Sequence, residues 1–380
     1  MKNQKANYKP PGHQLYVTRP GVLLKIFSKN KVSKGKRGMM FRVFFFSFLS
    51  WPFQLIQRVI FWFNLRKINL NEKPPVFILG HWRSGTTHIH YLLSKDPQFG
   101  FLSNFQSFFF NICTVGLGWF DRLISPHTAQ VRPMDKMDFT VMAPSEEEQV
   151  LSNMSELSNV YSIYFPDNSS YFDKFLMFEG ISDSEKKKWQ KAYTYVLKSI
   201  AFMSGGKRLV VKNPSNTARI KQILELYPNA KFVYIYRNPF SVYLSTLHLS
   251  RVVWEGQSFQ DMTEADYKDV IIENYKKVMK AYLRDKSLIP KDNLIEVSYD
   301  EIGEGSEKIF SKIYKSLNLD SHDEALPHVK AYLKTIKGYE KNEFIPIEED
   351  MVKRIQAEWK FAFEEYGYDL EYCNLVKSEL

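Results

Sequence analysis

The run Gly80-His81-Trp82-Arg83-Ser84-Gly85-Thr86-Thr87 is where residue type and spacing most clearly imply chemistry. Val76 to Leu79 precedes it as a short apolar β-run, and Thr86 to Leu93 continues it with helical spacing. A strand, a glycine-bounded turn and a helix start aim backbone N–H groups and the positive helix end at one point, which suits a phosphate. The two glycines have the spacing of a Walker loop, but Thr86 stands where that loop has its lysine. Arg83 is the cation inside the loop. Such a loop is expected to cradle anionic oxygens, without the lysine that an ATPase places on its terminal phosphates.

A second set of motifs follows about 120 residues later. Leu209 to Lys212 is a second short β-run ending in Lys212-Asn213-Pro214, and Asn216 to Tyr227 carries Ile220, Ile223 and Leu224 at helical spacing before Pro228 stops it. Lys231 to Tyr236 is a third strand, ending in Arg237-Asn238-Pro239, with Ser245 about two turns into the helix that follows. Strand–helix alternation with charged residues at strand ends predicts a parallel α/β sheet that binds ligands at those ends. Arg237 and Ser245 are placed to grip a second phosphate from two sides.

These motifs resemble a known family. Gly80 to Thr87 is similar to the 5′-phosphosulfate loop of sulfotransferases, and Arg237-Asn-Pro-Phe-Ser-Val-Tyr-Leu-Ser245 to their 3′-phosphate motif. Lys212-Asn-Pro, Tyr227-Pro-Asn-Ala-Lys-Phe-Val233, Val297-Ser-Tyr-Asp-Glu-Ile302 and Lys341-Asn342 resemble the bacterial branch. The likeness covers roughly residues 74–368. It implies a P-loop-like, three-layer α/β/α fold around a central parallel sheet. The implied donor is 3′-phosphoadenosine 5′-phosphosulfate (PAPS), whose two separate phosphate positions account for two basic motifs.

Sulfuryl transfer, like phosphoryl transfer, depends on positioning and charge neutralisation. Under the resemblance, Ser84, Gly85, Thr86 and Thr87 hold the 5′-phosphate, and Arg237 and Ser245 hold the 3′-phosphate, the forked guanidinium suiting phosphate oxygens. Arg83 and Lys212 are expected to neutralise the transferring group and the bridging oxygen of the leaving nucleotide. No metal-ligand cluster is visible, and no metal is expected.

The base that takes the acceptor proton is where the sequence departs from the cytosolic branch. Those enzymes have a histidine two residues after the strand-end lysine; here that position is Pro214. Pro144-Ser145-Glu146-Glu147-Glu148 offers carboxylates instead. Ser145 and Glu148 have capping-box spacing, and acids in a first turn suit the helix dipole without catalysis. On a helix, Glu147 shares the face of Leu151, Met154 and Tyr161 and is expected to point inward alone, with Glu146 and Glu148 flanking. Glu147 is the favoured base, ahead of Glu146 and Glu148, with His81 and His90 in reserve. His88 stands where the cytosolic branch has tryptophan near the adenine, so the stacking partner is not identified.

The remaining chain must position these groups. Residues 72–380 read as one catalytic domain, with an insertion at about 100–205 that is too long for a plain loop. Within it, Ser145–Phe165 and Asp183–Met203 read as two helices, and the phenylalanines from Phe99 to Phe110 would enclose an apolar acceptor or simply form core. Cys113 and Cys373 form no ligand or disulfide framework, as expected of a cytoplasmic protein.

Residues 1–71 hold 14 Lys and Arg and no acid, whereas residues 72–380 hold 38 basic and 42 acidic side chains, so the net +10 comes from an N-terminal arm. Its basic stretch runs into the uncharged Val43–Gln57, which is 15 residues long and interrupted by Pro52, short of a bilayer span. Two readings of the arm stand side by side: a peripheral anchor on anionic lipid at the cytoplasmic membrane face, or a helical lid packed on the catalytic domain. In the anchor reading, residues 1–66 are dispensable for donor binding. Nucleic acid is a poor fit, since no known module is visible. The expected function is sulfuryl transfer to a hydroxyl or amine of a hydrophobic or membrane-associated small-molecule or lipid acceptor. A kinase-like nucleotide phosphotransferase and a non-catalytic nucleotide-binding scaffold are the alternatives.

Overall fold

The computed structural model describes residues 12–115, 140–336 and 344–372. Lys341, Asn342 and Cys373, noted above, lie outside the described residues. The chain forms two compact units, one of residues 1–68, 102–202 and 250–262, the other of residues 69–101, 203–249 and 263–380. A cut at residue 71 differs from this grouping, because the arm shares a unit with the insertion.

The second unit is built on a parallel sheet of β1 (Val76–Leu79), β2 (Phe99–Gly100), β3 (Arg208–Lys212), β4 (Lys231–Tyr236) and β5 (Leu294–Ser298), in the order β2-β3-β1-β4-β5. Side chains alternate between the faces, so a strand covered on both sides must be apolar throughout. All four residues of β1 are buried. Val76, Ile78, Val210, Val233, Ile235 and Val297 meet Ile89, Leu92, Ile309, Phe310 and Ile313 from the helices Thr86–Leu93 and Tyr299–Ser316. On the opposite face Phe77 stacks with Tyr227, and Tyr234 lies 3.6 Å from Tyr282 of the helix Glu264–Asp285, ring to ring. The layers are therefore helix, sheet, helix, as expected. Asn216–Tyr227 differs in detail: Asn213 caps a short 3₁₀ turn, Pro214–Ala218, and the α-helix begins only at Ile220.

The first unit is helical. Ser145–Phe165 is not one helix but two, Glu147–Met154 and Tyr161–Tyr164. The Glu148 carboxylate folds back to accept from Ser158 Oγ at 2.7 Å and from the Asn159 N–H at 3.2 Å, holding the polar link between them. Asp183–Met203 forms the expected long helix.

The arm is integral to this unit. Leu15 and Leu23 are fully buried, and Thr18 Oγ1 donates to Asn153 Oδ1 at 2.6 Å. The Asn111 amide donates to the carbonyls of both Val17 and Asn153. Removing residues 1–66 would expose this core, so the arm is not a detachable tether. Its main helix, Arg37–Asn64, has 28 residues and runs through Pro52, which does not break it. At about 42 Å it is long enough to cross a membrane, and its composition is apolar enough. The 15-residue uncharged run understated it, because the helix continues past both flanking arginines.

Candidate functional site

β1 delivers the chain into the loop through Gly80, whose φ is +143°. A Cβ there would lie 2.5 Å from the Ile235 carbonyl oxygen and 2.7 Å from Ser84 Oγ, so the loop's tight start needs glycine. Gly85 closes the loop as the N-cap of Thr86–Leu93 at φ +102°, and a Cβ would meet the Tyr299 ring at 2.6 Å. Thr217 pins the entry, accepting from the Gly80 N–H at 2.8 Å and donating to its carbonyl at 3.1 Å. Ser84 Oγ donates to the His81 carbonyl at 2.7 Å.

All four expected cation and hydroxyl groups, Arg83, Lys212, Arg237 and Ser245, meet at this loop. Arg83, itself in the left-handed region at φ +71°, donates from Nε to Ser245 Oγ at 2.9 Å. Arg237 donates from one terminal nitrogen to the Arg83 carbonyl at 3.4 Å. Lys212, buried at the end of β3, donates to Thr87 Oγ1 at 3.4 Å. The strand order explains the convergence. The connection from β1 leaves toward β2 and β3, that from β4 leaves toward β5, and the divergence opens a crevice between the carboxyl ends of β1 and β4. Arg83 thereby engages both residues of the second basic motif, Arg237 and Ser245.

Arg237 is the most informative side chain. It is 9% exposed, its guanidinium lies 4.1 Å from the centre of the Tyr299 ring, and its Nε is buried without a hydrogen-bond partner. A buried donor left unpaired is costly, and an anion accepting from it would remove that cost. Together with the glycine cradle at a helix N-terminus, this chemistry fits a nucleotide bearing two phosphates.

Burial favours the neutral form of His81, His88 and His90. Burial lowers His81 to about 4, and its Nδ1–H donates to the Trp82 carbonyl at 2.9 Å. Burial lowers His88 to about 4 as well, and its Nε2 pairs with Ser306 Oγ at 2.8 Å. His90 is held well below its ordinary value, by burial first and then by the Lys212 charge.

The acid cluster lies in the first unit. Glu146 is the N-cap of Glu147–Met154, with no side-chain cap bond, so Ser145 and Glu148 do not form the expected capping box. Glu147 is buried and accepts from Tyr193 Oη at 2.9 Å; Tyr193 in turn stacks on Trp189. Glu148 is buried too, so Glu147 does not point inward alone. The reason is the broken helix, which lets Ser158 and Asn159 wrap around Glu148. Glu146 is half-buried.

Sequence reasoning gave no role to three residues that shape the loop. Tyr299 sits in the Val297–Ile302 motif, a usable signal; Thr217 and Ser306 carry none, because their partners are over 130 residues away in the chain. Among the described residues no group of three or more His, Cys, Asp or Glu could hold a metal ion.

Comparison with known proteins agrees with this architecture. The Sulfotransferase family profile matches residues 74–324. A Mycobacterium tuberculosis protein named omega-hydroxy-beta-dihydromenaquinone-9 sulfotransferase Stf3 is 26% identical over 329 residues, covering 86% of this chain and 83% of its own. Two crystal structures share the fold: sulfotransferase STF9 from Mycobacterium avium, with TM-score 0.67, 15% identity and coverage of 93% and 98% of the two chains, and sulfotransferase STF1 from M. tuberculosis, with TM-score 0.60, 19% identity and coverage of 82% and 85%. The chain belongs to the sulfotransferase family and is a sulfotransferase enzyme.

Proposed function

We propose that this enzyme transfers the sulfuryl group of PAPS to a hydroxyl of a hydrophobic acceptor. The observation that carries the donor assignment is the unpaired, buried Arg237 Nε beside the Gly80–Gly85 loop, with Ser245 bonded to Arg83. Two phosphate-binding elements meet across one crevice, which suits a nucleotide phosphorylated at both the 3′ and 5′ positions. Thr86 in place of the Walker lysine disfavours the kinase-like alternative.

In this reading Ser84 to Thr87 hold the 5′-phosphate, and Arg237 and Ser245 the 3′-phosphate. The acceptor oxygen forms a bond to sulfur as the bond from sulfur to the bridging oxygen breaks, and adenosine 3′,5′-bisphosphate leaves. Lys212 and Arg83 offset the charge that develops on that bridging oxygen. The acceptor proton passes to the Glu146–Glu148 cluster, with Glu147 the preferred carboxylate. The proposed acceptor class is supported by the relative whose name records a hydroxylated dihydromenaquinone. A terminal hydroxyl on a polyprenyl chain is accordingly the first acceptor to test, and a cytoplasmic setting, where PAPS is made, is part of the proposal.

The test is transfer from radiolabelled PAPS to a panel of hydroxylated prenyl quinones, simple lipids and polar alcohols. Label in the prenyl acceptors but not in the polar alcohols supports the proposal. Label only in polar alcohols would remove the hydrophobic acceptor, and magnesium-dependent turnover of ATP without use of PAPS would favour the phosphotransferase.

A further inference from the structure

The helix Arg37–Asn64 is polar on the inside and apolar on the outside. Its buried residues are Val43, Ser47, Ser50, Gln54, Gln57 and Phe61, a stripe with alternating steps of four and three along one helix face. The polar members are tied to the rest of the first unit. Ser47 Oγ donates to the Thr18 carbonyl at 2.6 Å, and the Gln57 amide donates to the Phe110 carbonyl. Gln57 Oε1 accepts from both the N–H and the hydroxyl of Thr114 at 2.8 and 2.9 Å. The opposite ridge holds Phe41, Phe45, Phe48, Ile56, Val59 and Phe63, each between 47% and 67% exposed. A soluble surface helix has the reverse arrangement, and a continuous apolar ridge of this length marks an interaction surface.

We infer that this ridge lies in the plane of an anionic lipid bilayer and holds the protein on it as an interfacial helix. Three observations select lipid as the occupant. The charges match: Arg37, Arg42, Arg58, Arg66 and Lys67 are exposed around the ridge, and residues 1–71 contain no acid to oppose anionic headgroups. Pairing with a second copy would set these same cations against each other, with no acid of the arm between them. Trp51 and Trp62 are about half exposed on the flank, where amphipathic rings sit at headgroup level, and the Arg66 guanidinium covers the Trp62 ring at 3.7 Å. The helix lies on the membrane and does not cross it. The inner stripe is bonded to protein from Ser47 to Gln57, and crossing would strip these amides and hydroxyls of their partners in hydrocarbon. The inference is independent of the donor and acceptor proposed above.

The test uses the full chain and its variant with Phe41→Gln, Phe45→Gln, Phe48→Gln and Ile56→Gln, glutamine being a good helix former. Binding is measured by flotation with phosphatidylcholine vesicles, with and without phosphatidylglycerol. The expected result is binding that requires phosphatidylglycerol, is only partly released by high salt, and falls by more than about tenfold in the variant. The melting temperature and adenosine 3′,5′-bisphosphate affinity of the variant should be unchanged. Equal flotation of both proteins would overturn the proposal. So would a wild-type dimer in lipid-free buffer that the variant renders monomeric, since that assigns the ridge to a second copy. Should the variant misfold, quenching of wild-type tryptophan emission by brominated phosphatidylglycerol decides: quenching lost on Trp51→Phe with Trp62→Phe supports the interfacial helix, and no quenching refutes it.

Discussion

Arg237→Ala separates a phosphate-binding role from a structural one. The guanidinium makes one long bond to the Arg83 carbonyl, at 3.4 Å, and a cation–π contact with Tyr299 at 4.1 Å. The second is worth about 1 kcal/mol. Against this stands a buried Nε without a partner, a desolvation cost of about 1–3 kcal/mol that alanine removes. The opposing effects nearly cancel, so the nucleotide-free variant should melt close to wild type. With a 3′-phosphate bound, a guanidinium making two charge-assisted bonds at ~1.5–3 kcal/mol each would contribute at least about 3 kcal/mol. At 1.4 kcal/mol per tenfold, the variant should bind adenosine 3′,5′-bisphosphate ~100-fold or more weakly. Adenosine 5′-monophosphate, which lacks the 3′ group, should bind wild type and variant alike. Calorimetry with both nucleotides is the assay. An equal loss for the two would refute the assignment and make Arg237 a brace for the loop through the Arg83 carbonyl.

Three further outcomes are expected. Gly85→Ala combines a φ of +102° with a 2.6 Å approach to Tyr299, so about 2 kcal/mol or more of stability should be lost along with nucleotide affinity, read by thermal melting and calorimetry. Glu147→Gln should lower turnover by about a hundredfold with donor affinity intact if the carboxylate takes the acceptor proton. Tyr193→Phe, which removes only the hydroxyl that donates to Glu147, is the control for a packing role, and equal effects of the two would end the base assignment. Acid should destabilise the fold through His13 and His81, both buried and lowered to about 4. The unfolded chain binds their protons first, so stability is complete above about pH 6.5 and falls toward pH 4, by up to ~3 kcal/mol for each. Melting temperatures across that range should show the slope, and His13→Gln should flatten it.

The geometry of the proposed nucleotide site was legible because its elements are local. Gly80, Arg83 and Gly85 act within one turn, and Arg237 at the end of β4 is followed directly by the helix Pro239–Leu249 that carries Ser245, so spacing alone carried most of their geometry. Contacts between strands were less visible. That Arg83 would bond Ser245, 162 residues away, depends on β1 and β4 being neighbours, which no local pattern encodes. Tyr299 was visible as part of a motif, but its position under Arg237 and against Gly85 depends on β5 pairing with β4. The acid cluster failed differently. Helical periodicity placed Glu147 inward correctly, then assumed the helix continued, whereas Glu148 turned back to bond Ser158 and Asn159 and became buried as well.

The arm shows why composition misleads when a helix serves two environments. An uncharged, phenylalanine-rich run reads either as anchor or as lid, and the two were treated as exclusive. In the structure the two faces of the one helix differ: the Ser47–Gln57 stripe packs inward through hydrogen bonds, and the Phe41–Phe63 ridge faces outward. The signal was present in the register of the polar residues. Ser47, Ser50, Gln54 and Gln57 fall on a single stripe, and a polar stripe on an otherwise apolar helix must face whichever neighbour can hydrogen-bond. If the partner were water, the apolar ridge would have to pack on protein. Thr18, Phe110 and Thr114 supply the partners, so among the described residues the ridge is left exposed, and the arm's acid-free charge is the ground on which an anionic surface is proposed for it.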